Sequence, residues 1–482
     1  MPRTLESQLE YPQIEYFSTR NESRSVSFNE AVMNGQPDGG GLYLPRTYNK
    51  FSPENLEQLS GKTYKEILLE TIKRFTGGCG IDYDQLEELI NQQFDFEPIL
   101  SKVNGYGENV HMIDLNQGDT GAFKDFGAKV LAITLKLILS VLNEQRTVVV
   151  ATSGDTGAAV ANACKSAESD PNIRVVVLFP RGMITEEQRV LMTTLPREYP
   201  NIHCLEVDSQ GGFDDCQAWV KATLSDDSLS DLTTANSINI ARIIGQSAYT
   251  TWCQSQFPNQ KMVISVPSGN LGNATGAYFA KEMGGANIEK IILAQNINGS
   301  AKQRILQQLL SQEPRLQSTM SSAMDIVTPS NLERILYECG ARFSSSGAMI
   351  QEPNYDILQR LLFAESFDDN ATADSMRYFT NNNNGTIICP HTGVAFAGLR
   401  NSYTEHPEYE HSQDPKIIYS TASPAKFPEV IQNVYGRSPD EIEPIRQAKA
   451  KAERYGEQTH SVASLNDVRR YLIENELTTV RA

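Results

Sequence analysis

The sequence predicts an α/β protein built on a wound parallel sheet, preceded by a mainly helical N-terminal unit. Three observations predict it. From about residue 110, short β-rich runs alternate with longer segments of helical spacing, the strand–loop–helix repetition of wound folds. The β-rich runs are largely continuous in apolar residues, which suits strands buried on both faces. Residues 1–97 lack this alternation and read as helices, "NLEQLSGKTYKEILLETIKRF" above all, with "PDGGGLYLP" as a turn-rich connector.

Strands are expected at 110–115, 147–152, 174–180, 203–207, 262–267, 290–296, 385–390 and 416–421. Alanine-rich helices such as "TGAAVANACKSA" and "NATGAYFAKEM" lie between several of them. Wound sheets bind ligands at the carboxyl ends of their strands, so the loops there are where function is sought. A chain of 482 residues is long for one domain. The boundary is placed between 97 and 98, with a smaller, mobile subdomain at about 145–250 inserted in the second part.

Bulk properties narrow the class. The net charge of −17, without a long basic run, argues against a nucleic-acid partner, because phosphate backbones need clustered lysine and arginine. A local basic pocket for a small phosphorylated ligand remains compatible with it. Seven scattered cysteines without a CxxC pair read as reduced thiols rather than disulfides or a metal site. The start "MPRTLESQLEYPQ" lacks the apolar core of a secretory signal. The greasiest stretch, "VLAITLKLILSVL", is too short to span a bilayer and carries Lys136. A cytoplasmic protein without a membrane partner is expected, monomeric or homodimeric.

"VPSGNLGNATGAYFA" is the most readable site. A strand ends at Pro267, the loop holds Gly269, Asn270, Leu271, Gly272 and Asn273, and a helix begins near Ala274. Glycines let backbone N–H groups converge on an anion, and the helix start adds partial positive charge. A plain strand-to-helix turn would also read this way. The dinucleotide fingerprint fails, because the spacing is G-x-x-G-x-x-x-G and the next strand, "KIILAQNINGS", ends in amides. No Walker Gly-Lys-Ser/Thr is present at this loop. A single phosphate monoester is the better guest.

In "QGDTGAFKDFGAKVLA", Lys124 is wedged between an aromatic and an acid before an apolar helix. A lysine together with a monophosphate site points to pyridoxal phosphate, whose aldehyde bonds to a neutral amine. Free lysine titrates near ~10.4, and burial lowers it by about 3–5 units, here in an apolar setting expected from Phe123 and Phe126. Asp125 is left as a helix cap or a neighbour's partner. In "TSGDTG", Ser153, Thr156 and adjacent N–H groups suit a substrate carboxylate. The Asp155 side chain would repel that anion and is expected to point elsewhere, as a helix cap. In "YSTASPAKF", Thr421 ends a strand, and its hydroxyl suits a pyridine nitrogen that is not to be fully protonated.

Taken in order, "SVSFNEAVMNG", "TGAFKDFGAKVLA", "TVVVATSGDTGAAVA", "VVLFPRGMIT", "ANSINIARI", "SVPSGNLGNATGAYFAKEMG", "SSAMDIVTPSNLERIL", "PHTGVA" and "TASPAKF" resemble the threonine synthase family of the long, three-domain type. That family shares the broad fold class of tryptophan synthase β, and the resemblance covers nearly the whole chain. It implies a pyridoxal-phosphate-dependent carbon–oxygen lyase. Its reaction turns O-phospho-L-homoserine and water into L-threonine and phosphate by γ-elimination and β-addition. It further implies Lys124 as the cofactor-bonding lysine and Thr421 at the pyridine nitrogen. The phosphate loop falls on Gly269, Asn270, Leu271, Gly272 and Asn273. Ser153, Gly154, Asp155 and Thr156 fall on the substrate side, and Asn236, Ser237, Asn239 and Arg242 become candidate contacts to the substrate phosphate. Arg242, Lys426 and Lys302 are the candidates to meet phosphate as it leaves. No metal is implied.

The chain departs from the family pattern at four places. Gln117 and Ser423 stand for histidines, Asp119 for a proline and Asn273 for an acid, while His391 is retained. Asp119 brings a negative charge near Lys124, unfavourable beside a dianionic phosphate. Two other readings stay open: a divergent pyridoxal-phosphate enzyme acting on another amino acid by elimination or replacement, and a non-catalytic paralogue that binds the cofactor.

Overall fold

Two parallel sheets organise the chain, and loops leaving their carboxyl ends converge on one cavity. The computed structural model describes residues 11–165, 172–299 and 316–481. The larger sheet runs, edge to edge, Leu362–Phe367, Ile288–Asn296, Met262–Pro267, Lys416–Ser420, Val110–Asp114 and Ile99–Lys102. All neighbours are parallel except the antiparallel edge Ile99–Lys102. Every residue of Met262–Pro267 and of Lys416–Ser420 is buried, which is why these strands are continuously apolar rather than alternating. Register sets Ser420 level with Asp114 and Ser265 level with Ile418, so the loops that follow these strands leave side by side.

The smaller sheet is wholly parallel, in the order Leu232–Thr233, Arg146–Ala151, Ile173–Pro180, Ile202–Val207 and His460–Val462. Its last strand comes from the far C-terminal region, and three residues are too few to read as a strand from sequence. Towards the N-terminus, helices Phe28–Asn34, Pro53–Leu59, Tyr64–Phe75 and Tyr83–Gln93 accompany a three-stranded antiparallel sheet of Asn21–Val26, Tyr16–Ser18 and Tyr43–Pro45. The expected turn-rich connector thus supplies an edge strand. Helix Tyr64–Phe75 begins at a capping box in which Thr63 and Glu66 satisfy each other's backbone N–H groups.

One expected strand is absent. Residues 386–389 are irregular, and Cys389 caps the helix Pro390–Glu405, whose first residue is a proline preset for a helix start. The sheet takes Leu362–Phe367 instead, directly after helix Tyr355–Leu361. The apolar run "ILQRLLFAESF" serves either period, so the change from helix to strand within it leaves no sequence mark. None of the seven cysteines forms a disulfide. Among the described residues, no helix is long and apolar enough to cross a membrane.

The helix Lys124–Leu142 joins these parts. Phe126 does not flank the amine as expected. It is fully buried in an aromatic cluster, edge-on to Tyr64, Phe96 and Tyr249 at ring-centroid distances of 5.3, 5.0 and 5.5 Å. Tyr64 and Phe96 belong to the N-terminal helical region and its exit, so this contact locks that region to the helix that carries Lys124. Phe126→Ala is expected to cost about 3–5 kcal/mol in denaturant-induced unfolding. Val141→Ser, at a position of the same helix that is 75% exposed, is expected to change stability by less than about 0.5 kcal/mol.

Candidate active site

A cavity opens at the carboxyl ends of the strands, where wound α/β folds place their ligands. It brings together Lys124, Ser153, Asp155, Thr156, Asn236, Ser237 and Arg242 with Gly269, Asn270, Leu271, Gly272, Asn273 and Thr421. Segments separated by some three hundred residues therefore meet in one place. Gly154 and Asn239, also expected there, do not line it.

The glycine loop is built to receive an anion. Leu271 has φ of 57°, a left-handed conformation that costs a non-glycine residue about 1–2 kcal/mol, and helix Gly272–Glu282 starts immediately after it. Among the described residues, no acceptor is found for the backbone N–H groups of 269–273. The loop is held from behind: Ser330 N–H donates to Asn270 Oδ1 at 2.8 Å, and Asn331 Nδ2 donates to the Asn270 carbonyl at 3.1 Å. Asn273 accepts from the Tyr249 hydroxyl at 2.6 Å, which leaves its amide nitrogen for the cavity.

Lys124 opens its helix beside the cavity, with 16% of its side chain exposed. Its Nζ lies 3.1 Å from Asp155 Oδ2 and 5.5 Å from the centre of the Phe123 ring. Burial lowers its pKa, Asp155 works against this, and the ammonium of Lys426 and guanidinium of Arg242 add to it. Asp155 does not cap its helix as expected. Its second oxygen is 2.7 Å from Lys426 Nζ and accepts from Gln188 Nε2 at 3.0 Å. Burial alone would raise this carboxyl, but Lys124, Lys426 and His391 together hold it well below the usual carboxylate range. His391 lines the cavity, and burial, aided by both lysines and opposed by Asp155, pushes it down to about 4.

Several expected participants have other duties. Asn239 is fully buried, caps helix Ile240–Ser255 through Ala241 N–H, and donates to the carbonyls of Val32 and Thr234. Asn236 pairs with both backbone groups of Ala151, and Ser237 accepts from Asn331, so both line the cavity as framework. Asp125 receives the N–H and hydroxyl of Thr120 rather than capping its helix, and burial lifts it to about 6. Lys426 is fully buried away from the lining, and Lys302 lies outside the described residues. Asp119 lies 2.8 Å from Lys129 Nζ, so its charge is matched rather than presented to the cavity. Gln188, Phe213, Gln217, Gln246 and Asn331 were not foreseen. Gln188 closes a capping box with Thr185, a spacing that marks a helix start rather than a site, and the others carry no spacing that marks them.

Four residues of the cavity wall, Arg242, Gln246, Asn273 and His391, each carry a buried polar atom (Nε, Oε1, Nδ2 and Nε2) with no hydrogen-bond partner among the described residues. Orphaned atoms grouped in this way signal a polar ligand. Donors gathered at the glycine loop and an amine with a lowered pKa fit pyridoxal phosphate. Residues 99–414 match the family described as "Pyridoxal-phosphate dependent enzyme", and with this site the chain is of that class, in the tryptophan synthase β type of fold. Residues 15–94 match "Threonine synthase N terminus", and threonine synthase of Escherichia coli (strain K12) is 32% identical over 430 residues, covering 88% of this chain and 92% of its own. The chain belongs to the threonine synthase family. The enzyme of Serratia marcescens is 31% identical over 465 residues, covering 95% of this chain and 98% of its own. The crystal structure of pyridoxal-phosphate-bound threonine synthase from Brucella melitensis, 29% identical, superposes with a TM-score of 0.84 over 97% of this chain and 100% of that one.

The buried neutral His391 gives a pH signature. Unfolded, it takes up a proton near its ordinary 6.5, whereas folded it resists until about 4. Its contribution is therefore complete above pH 6.5 and lost as pH falls from 6.5 to about 4, a total of about 3 kcal/mol. His391→Gln lacks this loss, so its unfolding free energy is expected to gain about 3 kcal/mol on the wild type across that interval in paired denaturation curves.

Proposed function

We propose that the protein is a threonine synthase, converting O-phospho-L-homoserine and water into L-threonine and inorganic phosphate with pyridoxal 5'-phosphate as cofactor. The observation that carries this reading is a buried amine and an anion-ready glycine loop in one cavity, in a chain about a third identical to threonine synthases over most of both lengths. When bound, the cofactor supplies an electron sink for negative charge that develops beside the substrate's amino group. The loop 269–273 would hold the cofactor phosphate with its N–H groups, and the Thr421 hydroxyl would suit a ring nitrogen left uncharged.

Lys124 is the amine that would hold the cofactor, and it is placed to move protons at the substrate's α- and β-carbons. Ser153 and Thr156, at the start of helix Asp155–Cys164, hold the substrate carboxylate with hydroxyl and N–H donors. Arg242, with its unpartnered Nε, meets the departing phosphate, since Lys426 is committed to Asp155. A charge-assisted bond of this kind contributes about 1.5–3 kcal/mol. Residues 1–97 form the N-terminal domain and 98–482 the catalytic region, in which the subdomain at about 145–250 moves as the smaller body. The protein acts in the cytoplasm on a small phosphorylated amino acid.

Reduction of the cofactor-loaded protein with borohydride, followed by peptide mapping, is expected to place the pyridoxyl group on Lys124. Phosphohomoserine is expected to yield equal amounts of phosphate and threonine, with both lost in Lys124→Ala. Cofactor trapped at Lys124 without phosphate release moves the assignment to another amino-acid substrate or to a binding role. Asn331→Ala removes the clamp behind the loop while leaving its sequence intact. It is expected to weaken cofactor affinity about tenfold or more, read by fluorescence titration, because a lost buried donor costs about 1–3 kcal/mol.

A further inference from the structure

Asp155 lies between two ammonium groups that are not equivalent. Lys426 is fully buried, lies 2.7 Å from Asp155 Oδ1, donates to the Thr120 carbonyl at 2.9 Å, and does not line the cavity. Lys124 contacts the other oxygen at 3.1 Å and faces the cavity. If Lys124 alone balanced Asp155, losing its proton would strand a buried carboxylate, and that penalty would keep the amine charged. A charged amine cannot attack an aldehyde.

We propose that Lys426 is a positioning residue that stays paired with Asp155, so that Lys124 can release its proton through the cavity to solvent without leaving a buried anion unmatched. Every element packed around Lys124 has its part in this balance. Helix Asp155–Cys164 supplies Asp155, the turn Pro424–Lys426 supplies Lys426, helix Ile240–Ser255 supplies Arg242 and helix Pro390–Glu405 supplies His391. Asp155 favours the charged amine, and Lys426 and Arg242 oppose it. Gln188, from helix Glu186–Thr193, donates to the oxygen that Lys426 shares, and Asp125 fixes Thr120, whose carbonyl aims Lys426. Ser423 caps the turn that carries Lys426 by accepting from Ala425 N–H at 3.2 Å.

The inference rests on Lys124 being the cofactor-bonding amine, but its charge balance can be read on the full-length protein stripped of cofactor. Lysines are labelled with acetic anhydride between about pH 6 and 10, and labelling at Lys124 is followed by peptide mass spectrometry. Lys426→Gln keeps a donor but no charge, and Lys426→Met removes both. Each is expected to raise the pH of half-maximal labelling by about one unit or more, a tenfold loss of neutral amine at a given pH. Lys426→Arg is expected to stay near the wild type, and adding Asp155→Asn to either neutral variant to cancel most of the rise. An unmoved curve in a variant whose circular dichroism matches the wild type overturns the proposal, as does an equal rise with and without Asp155. Borohydride trapping at a lysine other than Lys124 would instead sink the proposed function and leave this charge relation standing.

Discussion

A single buried carboxylate binds the two sheets to each other at the cavity. Asp155 follows the strand Arg146–Ala151 of the smaller sheet, while Lys124 and Lys426 follow Val110–Asp114 and Lys416–Ser420 of the larger one. Removing one partner from a buried ion cluster costs about 3–5 kcal/mol, whereas replacing the whole cluster with well-packed apolar side chains is often neutral or favourable. A need for cohesion alone would therefore be met as well by leucines. Retaining three charges here makes sense where one of them is used, and of the two ammonium groups it is Lys124 that reaches the cavity.

Holding that cluster in place determines the backbone around it. Gly154 has φ of 129°, and a Cβ there would stand 2.4 Å from Gln188 Cδ, so only glycine allows Gln188 to approach Asp155. Across the cavity, the left-handed Leu271 is a local cost offset by its burial and by the clamp from Ser330 and Asn331. Asn331 is in turn held by the fully buried Arg334, whose Nε donates to the Tyr43 carbonyl and whose other nitrogens reach the carbonyls of Ser237 and Ile238. Tyr43 lies in the small N-terminal sheet, so that region braces the anion loop through one guanidinium. With the Phe126 cluster, this gives the N-terminal region two independent holds on the site.

The features legible in the sequence were those with a local cause. Largely apolar runs mark the buried parallel strands, and glycine loops between strand and helix mark the two turns that reach the cavity. The structure brings Lys124, Thr421 and the 269–273 loop to one cavity, because the loop and Thr421 follow strand ends directly and Lys124 opens the helix after Val110–Asp114. What stayed hidden depends on contacts between distant segments. Nothing around Asn239 shows that its amide is consumed by Val32 and Thr234, and nothing around Asp119 shows Lys129 opposite it. The strand Leu362–Phe367 was masked by an apolar run that fits a helix equally well, and His460–Val462 by its brevity. The two "GDTG" copies show the limit most plainly. In one the acid pairs outward with Lys129, and in the other it lies buried between Lys124 and Lys426.

The same long-range contacts give each departure from the family pattern a partner in this structure. An asparagine at 273 offers the Tyr249 hydroxyl the same acceptor oxygen that an aspartate would, and adds a donor on the side facing the cavity. The negative charge at Asp119 is met by Lys129, which also donates to the Gln93 carbonyl, so no net charge is added beside the loop. Gln117 donates to Asp114, a carboxyl that burial lifts to about 6 and that accepts this neutral donor readily. Ser423 is small enough to cap its turn and so sets the direction of Lys426. Of the four, only Asn273 lines the cavity; Gln117, Asp119 and Ser423 lie outside its lining, each with a partner of its own. What the chemistry asks of this chain is the charge arrangement of Lys124, Asp155 and Lys426, and that arrangement does not depend on the side chains at these four positions except through the turn that Ser423 caps.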